Sequence, residues 1–238
     1  MAHVVYGSII ATGDVNGDGF DDLAAASASG PFGNGFGGVE VVFGGPALHS
    51  LEFFNDSWPT FEGYSIRTPS WTTWIELDGG RDVNGDGYAD LVIHEETSAD
   101  LAWVLFGKSS VESVELPEAL GDGAGFSIVP GFEASGALRC ELLPDLDDDG
   151  LAEIRISVGE ETYVVRGKAD GLQVELSAVA EGVGGYAQHE RPWGSQGAVA
   201  WAEIDGSPGI DAVVAARDAP VGELDEAGCT YVYFAPDG

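Results

Sequence analysis

Acidic and amide side chains recur at alternate positions in three ten-residue stretches. Asp14–Leu23 reads Asp-Val-Asn-Gly-Asp-Gly-Phe-Asp-Asp-Leu, and Asp82–Leu91 repeats it with Tyr and Ala at positions seven and eight. Asp145–Ile154 keeps acidic residues at positions one, three, five and nine. Oxygens at this spacing, with glycine at position six for a sharp turn, suit a hard cation such as Ca²⁺. The three loops therefore predict calcium sites.

The last acidic ligand of these loops lies at position nine, which distinguishes them from an EF-hand. An EF-hand has a bidentate glutamate at position twelve, where this chain has Ala25, Ile93 and Ile156 inside expected strands. A bare Asx turn is the alternative. Such a turn does not require three charged groups at alternate positions, and without a cation their mutual repulsion would cost free energy. We therefore prefer calcium, with the seventh residue offering its backbone carbonyl. The predicted ligands are Asp14, Asn16, Asp18, Phe20 and Asp22; Asp82, Asn84, Asp86, Tyr88 and Asp90; and Asp145, Asp147, Asp149, Leu151 and Glu153.

A fourth, degraded copy starts at Asp205 and is one residue shorter. Asp205 and Asp211 remain, but Pro208 or Gly209 stands where a ligand is needed. The sequence thus predicts about three calcium sites, with a bare turn or a weak fourth site here.

The loops belong to internal repeats, since their starts lie 68, 63 and 60 residues apart. A Gly-aromatic-Ser-Ile marker precedes the loops, and a β-rich aromatic run such as Val39–Gly44 follows them. The markers are Tyr6–Ile9, Gly63–Ile66, Gly125–Ile128 and Gly185–Ala187. Each repeat then supplies about four short strands, the composition of one β-propeller blade.

We therefore expect an all-β propeller of four antiparallel four-stranded blades in one domain, residues 1–238. The expected blades are 7–62, 63–124, 125–184 and 185–238, with residues 1–6 as the closing strand. A closed four-bladed ring is the first expectation. Half of an eight-bladed dimer and a fragment of a seven-bladed propeller are the alternatives, so the chain is expected to be a monomer or a homodimer.

The chain resembles the FG-GAP repeat family, which forms the propeller of integrin alpha subunits and of many bacterial surface proteins. The Gly13–Leu23 stretch and the Gly-Phe-Ser-Ile marker carry this resemblance. It implies a propeller with calcium between the first two strands of a blade, and the ligands named above by position. The Gly-Ala-Pro half of the family signature is missing, because Ala26–Gly30 and His94–Ser98 stand in its place. Integrin-type partner binding is therefore not transferred to this chain.

The charge composition disfavours two classes of binding partner. The 41 acidic and 9 basic residues give a net charge of −32, which disfavours nucleic acid and anionic lipid as partners. No apolar run is long enough to span a bilayer, and no catalytic motif stands out. We expect a non-catalytic module for adhesion or protein recognition at the cell surface or outside the cell, as a mature or excised segment.

Alternatives at this stage are a carbohydrate-binding module and the accessory propeller of a secreted enzyme. Trp58, Trp71 and Trp193 lie beside prolines in expected connections, where they could contact a glycan or plug the gaps between blades. Cys140 and Cys229 are expected to be separate thiols, with a disulfide as the alternative.

Overall fold

In the part of the chain that it describes, the computed structural model shows an all-β architecture of four sheets, with helical structure limited to two five-residue segments. Its β-branched and aromatic runs form the strands, and Gly, Asp and Asn fill the turns between them. It describes residues 6–27, 37–46, 62–69, 75–95, 102–132, 138–159, 161–188, 199–202, 204, 211–216 and 229–233.

The strands follow one another in four groups. The first group is β1 (Tyr6–Gly13), β2 (Asp22–Ser27), β3 (Gly38–Val42) and β4 (Gly63–Arg67). The second is β5 (Ile75–Arg81), β6 (Asp90–Glu95), β7 (Ala102–Leu105), β8 (Val114–Glu115) and β9 (Gly125–Val129). The third is β10 (Leu138–Leu142), β11 (Ile154–Val158), β12 (Glu161–Val165), β13 (Val174–Glu175), helix α1 (Leu176–Ala180) and β14 (Gly185–Gln188). The fourth is β15 (Val199–Ala202), β16 (Asp211–Ala216) and β17 (Cys229–Tyr233).

Each group forms an antiparallel meander. The orders are β1-β2-β3-β4 in the first sheet, β5-β6-β7-β9 in the second, β10-β11-β12-β14 in the third and β15-β16-β17 in the fourth. The expected strand–loop–strand setting of the first three acidic loops is therefore confirmed. The first strands β1 and β5 pack side by side, as do β5 and β10, so the acidic loops of successive sheets are neighbours.

Two short parallel strands were not expected. β8 pairs with β4 and β13 pairs with β9, so the first two sheets each have five strands. Each added strand comes from the following repeat and covers the outer edge of the preceding sheet. The expectation of strictly four-stranded antiparallel blades is therefore wrong for these two sheets.

The Gly-aromatic-Ser-Ile marker occupies two different positions. Gly63–Ile66, Gly125–Ile128 and Gly185–Ala187 lie in the outer strands β4, β9 and β14, whereas Tyr6–Ile9 lies in the first strand β1. The first marker is thus not equivalent to the others. The strands that carry the other three markers are each the last antiparallel strand of a sheet. Each of these sheets therefore ends after the marker, whereas the expected blades begin with it. The expected closing strand lies outside the described residues, apart from Tyr6, which belongs to β1.

Two apolar cores lie between successive sheets. Val39 and Val41 of the first sheet meet Leu91 and Trp103 of the second. The opposite face of the second sheet, with Val104 and Phe126 among its residues, packs on Ile154, Ile156 and Tyr163 of the third. Burial on alternate faces follows from the two-residue period of a strand. No helix of the described residues is long and apolar enough to cross a membrane.

Candidate metal centre

The first acidic loop is held by its own side chains. The Asp14 carboxylate accepts N–H bonds from Gly17 at 2.7 Å and from Gly19 at 2.8 Å. The Asp18 carboxylate accepts the Phe20 N–H at 2.9 Å. Gly17 and Gly19 have φ of 77° and 89°, a region that favours glycine. These bonds close the turn of the loop, but the first loop does not belong to the carboxylates that converge in the described part of the chain.

The second loop repeats this arrangement. Asp82 accepts the Gly85 and Gly87 N–H groups at 2.6 and 2.8 Å, and Asp86 accepts that of Tyr88 at 2.9 Å. Asn84 donates from its amide nitrogen to Asp86 at 2.9 Å, as Asn16 does to Asp18 in the first loop at 3.1 Å. The two near-identical sequences therefore fold identically.

The ninth-position aspartates are buried beneath their loops. Asp22 accepts the Val15 N–H at 2.8 Å and the Gly44 N–H at 2.6 Å. Asp90 likewise accepts the N–H groups of Val83 and Gly107. Burial raises the pKa of both carboxyls, that of Asp90 to about 7, although these bonds oppose the shift.

The third loop brings four carboxylates together. Asp145, Asp147, Asp149 and Glu153 each place one oxygen within 4.8 Å of the others. Asp145 accepts the Gly150 N–H at 2.8 Å, which closes the turn as in the other loops. The donor set consists entirely of carboxylate oxygens, which is compatible with a hard divalent cation.

Glu153 is the deepest member of this group, with 2% of its surface exposed. Its Oε2 accepts the Leu146 N–H at 2.6 Å, while its Oε1 is buried and meets no hydrogen-bond donor among the described residues. Burial raises the pKa of this carboxyl to about 7, and the neighbouring aspartates add to the shift. A buried carboxylate oxygen without a partner, beside three other carboxylates, fits a cation ligand.

The third loop also differs from the others in charge. Asp147 replaces the asparagine of loops one and two, and it pairs with Arg166 at 2.9 Å. Asp148 has a φ of 58° where the other loops have glycine. Aspartate tolerates this left-handed conformation better than most residues, so the loop keeps its shape.

Not every predicted residue is brought together. Phe20 is exposed in the first loop, and the carbonyl role of Phe20, Tyr88 and Leu151 stays a prediction. Asp205 lies outside the described residues, and Asp211 is the first residue of β16. Trp58, Trp71 and Trp193 also lie outside them. Cys140 is a free cysteine, in agreement with the expected separate thiols.

Sequence reasoning missed the glycines that bind the ninth-position aspartates. A Cβ on Gly44 would lie 2.2 Å from the Asp21 carbonyl oxygen, and one on Gly107 would lie 2.6 Å from that of Ala89. Only glycine allows this close approach. The signal was present, because the aromatic run after each of the first three loops ends at a glycine.

Comparison with known proteins agrees with the loop geometry. The family model described as FG-GAP repeat matches residues 6–41, which include the first loop and strands β1 to β3. The chain carries an FG-GAP repeat. The resemblance predicted from the sequence is thereby confirmed.

The chain is also similar to integrin alpha-V from Gallus gallus, at 29% identity over 189 residues. The matched region covers 74% of this chain and 16% of the integrin chain. The chain therefore spans a small part of that relative.

Proposed function

We propose that this chain is a calcium-stabilised propeller module that recognises a protein partner outside the cell and catalyses no reaction. The observation that carries the calcium part is the third loop, where Asp145, Asp147, Asp149 and Glu153 converge and one Glu153 oxygen is buried without a partner. A bound calcium ion would supply positive charge and the missing partner.

The charge of the loop supports a divalent cation. Four carboxylates within 4.8 Å repel one another, and Arg166 pairs with one of them at a largely exposed position where screening weakens it. Calcium suits this set because it accepts six to eight oxygens in flexible geometry, whereas zinc prefers nitrogen and sulfur. The shared pattern of the first two loops extends the proposal to about three sites.

We further propose that the four sheets close into one ring, with the fourth sheet against the far face of the first. Glu40 and Val42 of β3 alternate with Val39 and Val41, so they face away from the core that the first two sheets share. Both are nevertheless buried, as is Val164 on the far face of the third sheet. Burial on these two faces is what a closed ring requires.

The recognition part is supported by the FG-GAP repeat and by the similarity to integrin alpha-V. Calcium outside cells is abundant enough to fill sites of about 10⁻⁴–10⁻³ M affinity. Loops stiffened by the ion would then present a fixed surface to the partner.

The test is thermal unfolding in millimolar calcium and in excess chelator, with magnesium at equal ionic strength as a control. At about 10 mM calcium, a native-state site with a Kd of about 10⁻⁴ M is at a hundredfold excess and adds about 2.7 kcal/mol, so the wild-type Tm should rise by several degrees. Glu153→Gln should lose the contribution of the third loop, because the amide keeps the acceptor for Leu146 but removes the charge.

Asp148→Asn is the matched control. It removes one charge from the same loop, and asparagine tolerates the positive φ, but Asp148 is outside the converging set. It should keep the full calcium response. An equal calcium response in Glu153→Gln, or none in the wild type, would contradict the proposal.

A further inference from the structure

The outer edges of the first two sheets are covered by one recurring segment. Gly107–Leu116 and Gly167–Leu176 both read Gly-Lys, five residues, then Val-Glu-Leu. We refer to these two segments as clasps. Val114 lies opposite Ile66 in parallel register, and Val174 lies opposite Ile128 in the same way. Each clasp belongs to one repeat and binds the outer strand of the repeat before it.

The clasp lysine contacts the aromatic residue at the second position of the covered strand. Lys108 Nζ lies 4.3 Å from the Tyr64 ring centroid, and Lys168 Nζ lies 5.0 Å from that of Phe126. Each ammonium also donates to a carbonyl within its own clasp, that of Glu112 or Leu172. The clasp thus combines strand addition with a cation–π contact.

The leucines complete the cover. Leu116 is buried in the core of the first two sheets, and Leu176 in the core of the second and third. The glutamates between valine and leucine stay exposed, and Glu115 pairs with Arg67 at 2.6 Å. As a result Tyr64 and Phe126 are only 2% and 0% exposed.

In the third sheet, the described residues include the same outer strand but no clasp on it. β14 is the last strand of its sheet in the described part of the chain, and Tyr186 occupies the position of Tyr64 and Phe126. Tyr186 is 45% exposed. The chain has only two lysines, Lys108 and Lys168, and both serve the other clasps. These 238 residues therefore hold no further lysine for a clasp on the third sheet.

The surroundings of Tyr186 favour a cation. Glu153 and Asp147 are close enough to affect its hydroxyl, whose pKa is raised mainly by burial and further by these carboxylates, while Arg166 opposes them. The chain as a whole has a net charge of −32. An incoming lysine would meet an aromatic face in a negative field.

We propose that the β14 edge and the Tyr186 ring form a docking site for a clasp-type segment of a partner protein, with its lysine over the ring and its Val-Glu-Leu run parallel to β14. In the first two sheets, a clasp from the same chain covers the equivalent outer edge. An uncovered edge of this kind readily pairs with another strand. This inference rests on the recognition part of the proposed function. A calcium ion on Glu153 and Asp147 would weaken the negative field at Tyr186 but would leave the β14 edge and the ring in place.

The test is binding of a fluorescent peptide with the sequence of residues 105–118, which contains the first clasp, to the full chain. Anisotropy should show saturable binding, and amide hydrogen exchange should slow within Gly185–Gln188. Tyr186→Ala should weaken binding at least fivefold, and Tyr186→Phe should retain it because the ring remains. A peptide with alanine in place of its lysine should bind as weakly as the wild-type peptide binds to Tyr186→Ala.

Three results would overturn the proposal. These are absence of saturable binding, equal binding to Tyr186→Ala, and self-association of the chain through β14 that excludes the peptide, which would make a second copy the occupant. The calcium-dependent Tm shift is measured on the same samples. Failed peptide binding with an intact calcium response would therefore reject the docking site alone.

Discussion

Glu40 occupies a position that other repeats fill with an aromatic side chain. It lies opposite Ser65, as Trp103 lies opposite Ser127 and Tyr163 opposite Ala187. Its Oε2 accepts the Ser65 hydroxyl at 3.1 Å, and its Oε1 is buried with no hydrogen-bond partner among the described residues. Burial raises the pKa of this carboxyl to about 7. The first sheet thus carries a buried acid that favours its neutral form.

Stability should fall as this acid ionises. The folded-state pKa lies above the ordinary 4.5, so the stabilisation is full below pH 4.5 and is lost as pH rises through about 7. The shift corresponds to roughly 3 kcal/mol. Urea unfolding in chelator from pH 5 to 8 should show a smaller decline for Glu40→Gln than for the wild type. An exposed control, Glu181→Gln, should keep the wild-type slope; equal slopes for Glu40→Gln and wild type would reject this role.

At the scale of elements, the acidic loops contact one another directly. The Asp14 carbonyl accepts the Ala89 N–H at 2.8 Å, and the Asp82 carbonyl accepts the Ala152 N–H at the same distance. The seventh residue of each following loop also packs on the preceding one, since a Cβ on Gly17 would lie 2.2 Å from the Tyr88 ring. The conformation of each loop is therefore stabilised by contacts with the neighbouring loop.

This packing gives a matched pair of glycine substitutions. Gly17 and Gly19 both have positive φ, so alanine at either should cost about 1 kcal/mol through backbone strain. Gly19 has open space around its Cβ position, whereas Gly17 faces Tyr88. Gly17→Ala should therefore destabilise the chain clearly more than Gly19→Ala in denaturant unfolding. Equal losses would show that the loops do not pack as described.

For the whole molecule, charge and sheet burial bear on assembly. A net charge of −32 opposes the approach of a second copy, especially at low salt. The closed ring proposed above would cover the far faces of the first and third sheets, where Glu40, Val42 and Val164 are buried, without a second copy. A closed ring of one chain agrees with both observations better than a dimeric ring does.

Sedimentation should therefore give a mass near 24.7 kDa at both 0.05 and 0.5 M salt, independent of protein concentration. Salt screens the repulsion between copies, so 0.5 M salt is the condition that most favours a dimer and tests the monomer most strictly. A species of twice that mass at 0.5 M salt would favour the eight-bladed dimer over the closed ring.

Local features could be predicted from residues such as Asp14, Gly17 and Gly19. Their spacing specifies the turn because each bond of the loop spans only a few residues. The flanking strands were predicted from the β-rich aromatic runs beside the loops, and the number of repeats from the loop spacing. The FG-GAP resemblance rested on the same local motif, which is why comparison with known proteins recovered it.

Longer-range features required the folded chain. Tyr6–Ile9 reads Tyr-Gly-Ser-Ile, with the first two marker residues in reverse order, and lies in β1 instead of an outer strand. So short a motif does not specify a place in a sheet. The two-residue strands β8 and β13 are too short to show any period. Burial of Glu40 and convergence on Glu153 depend on residues brought together by sheet packing. Sequence patterns encode contacts within a few residues, whereas packing between repeats about 60 residues apart selects which edges and faces are covered.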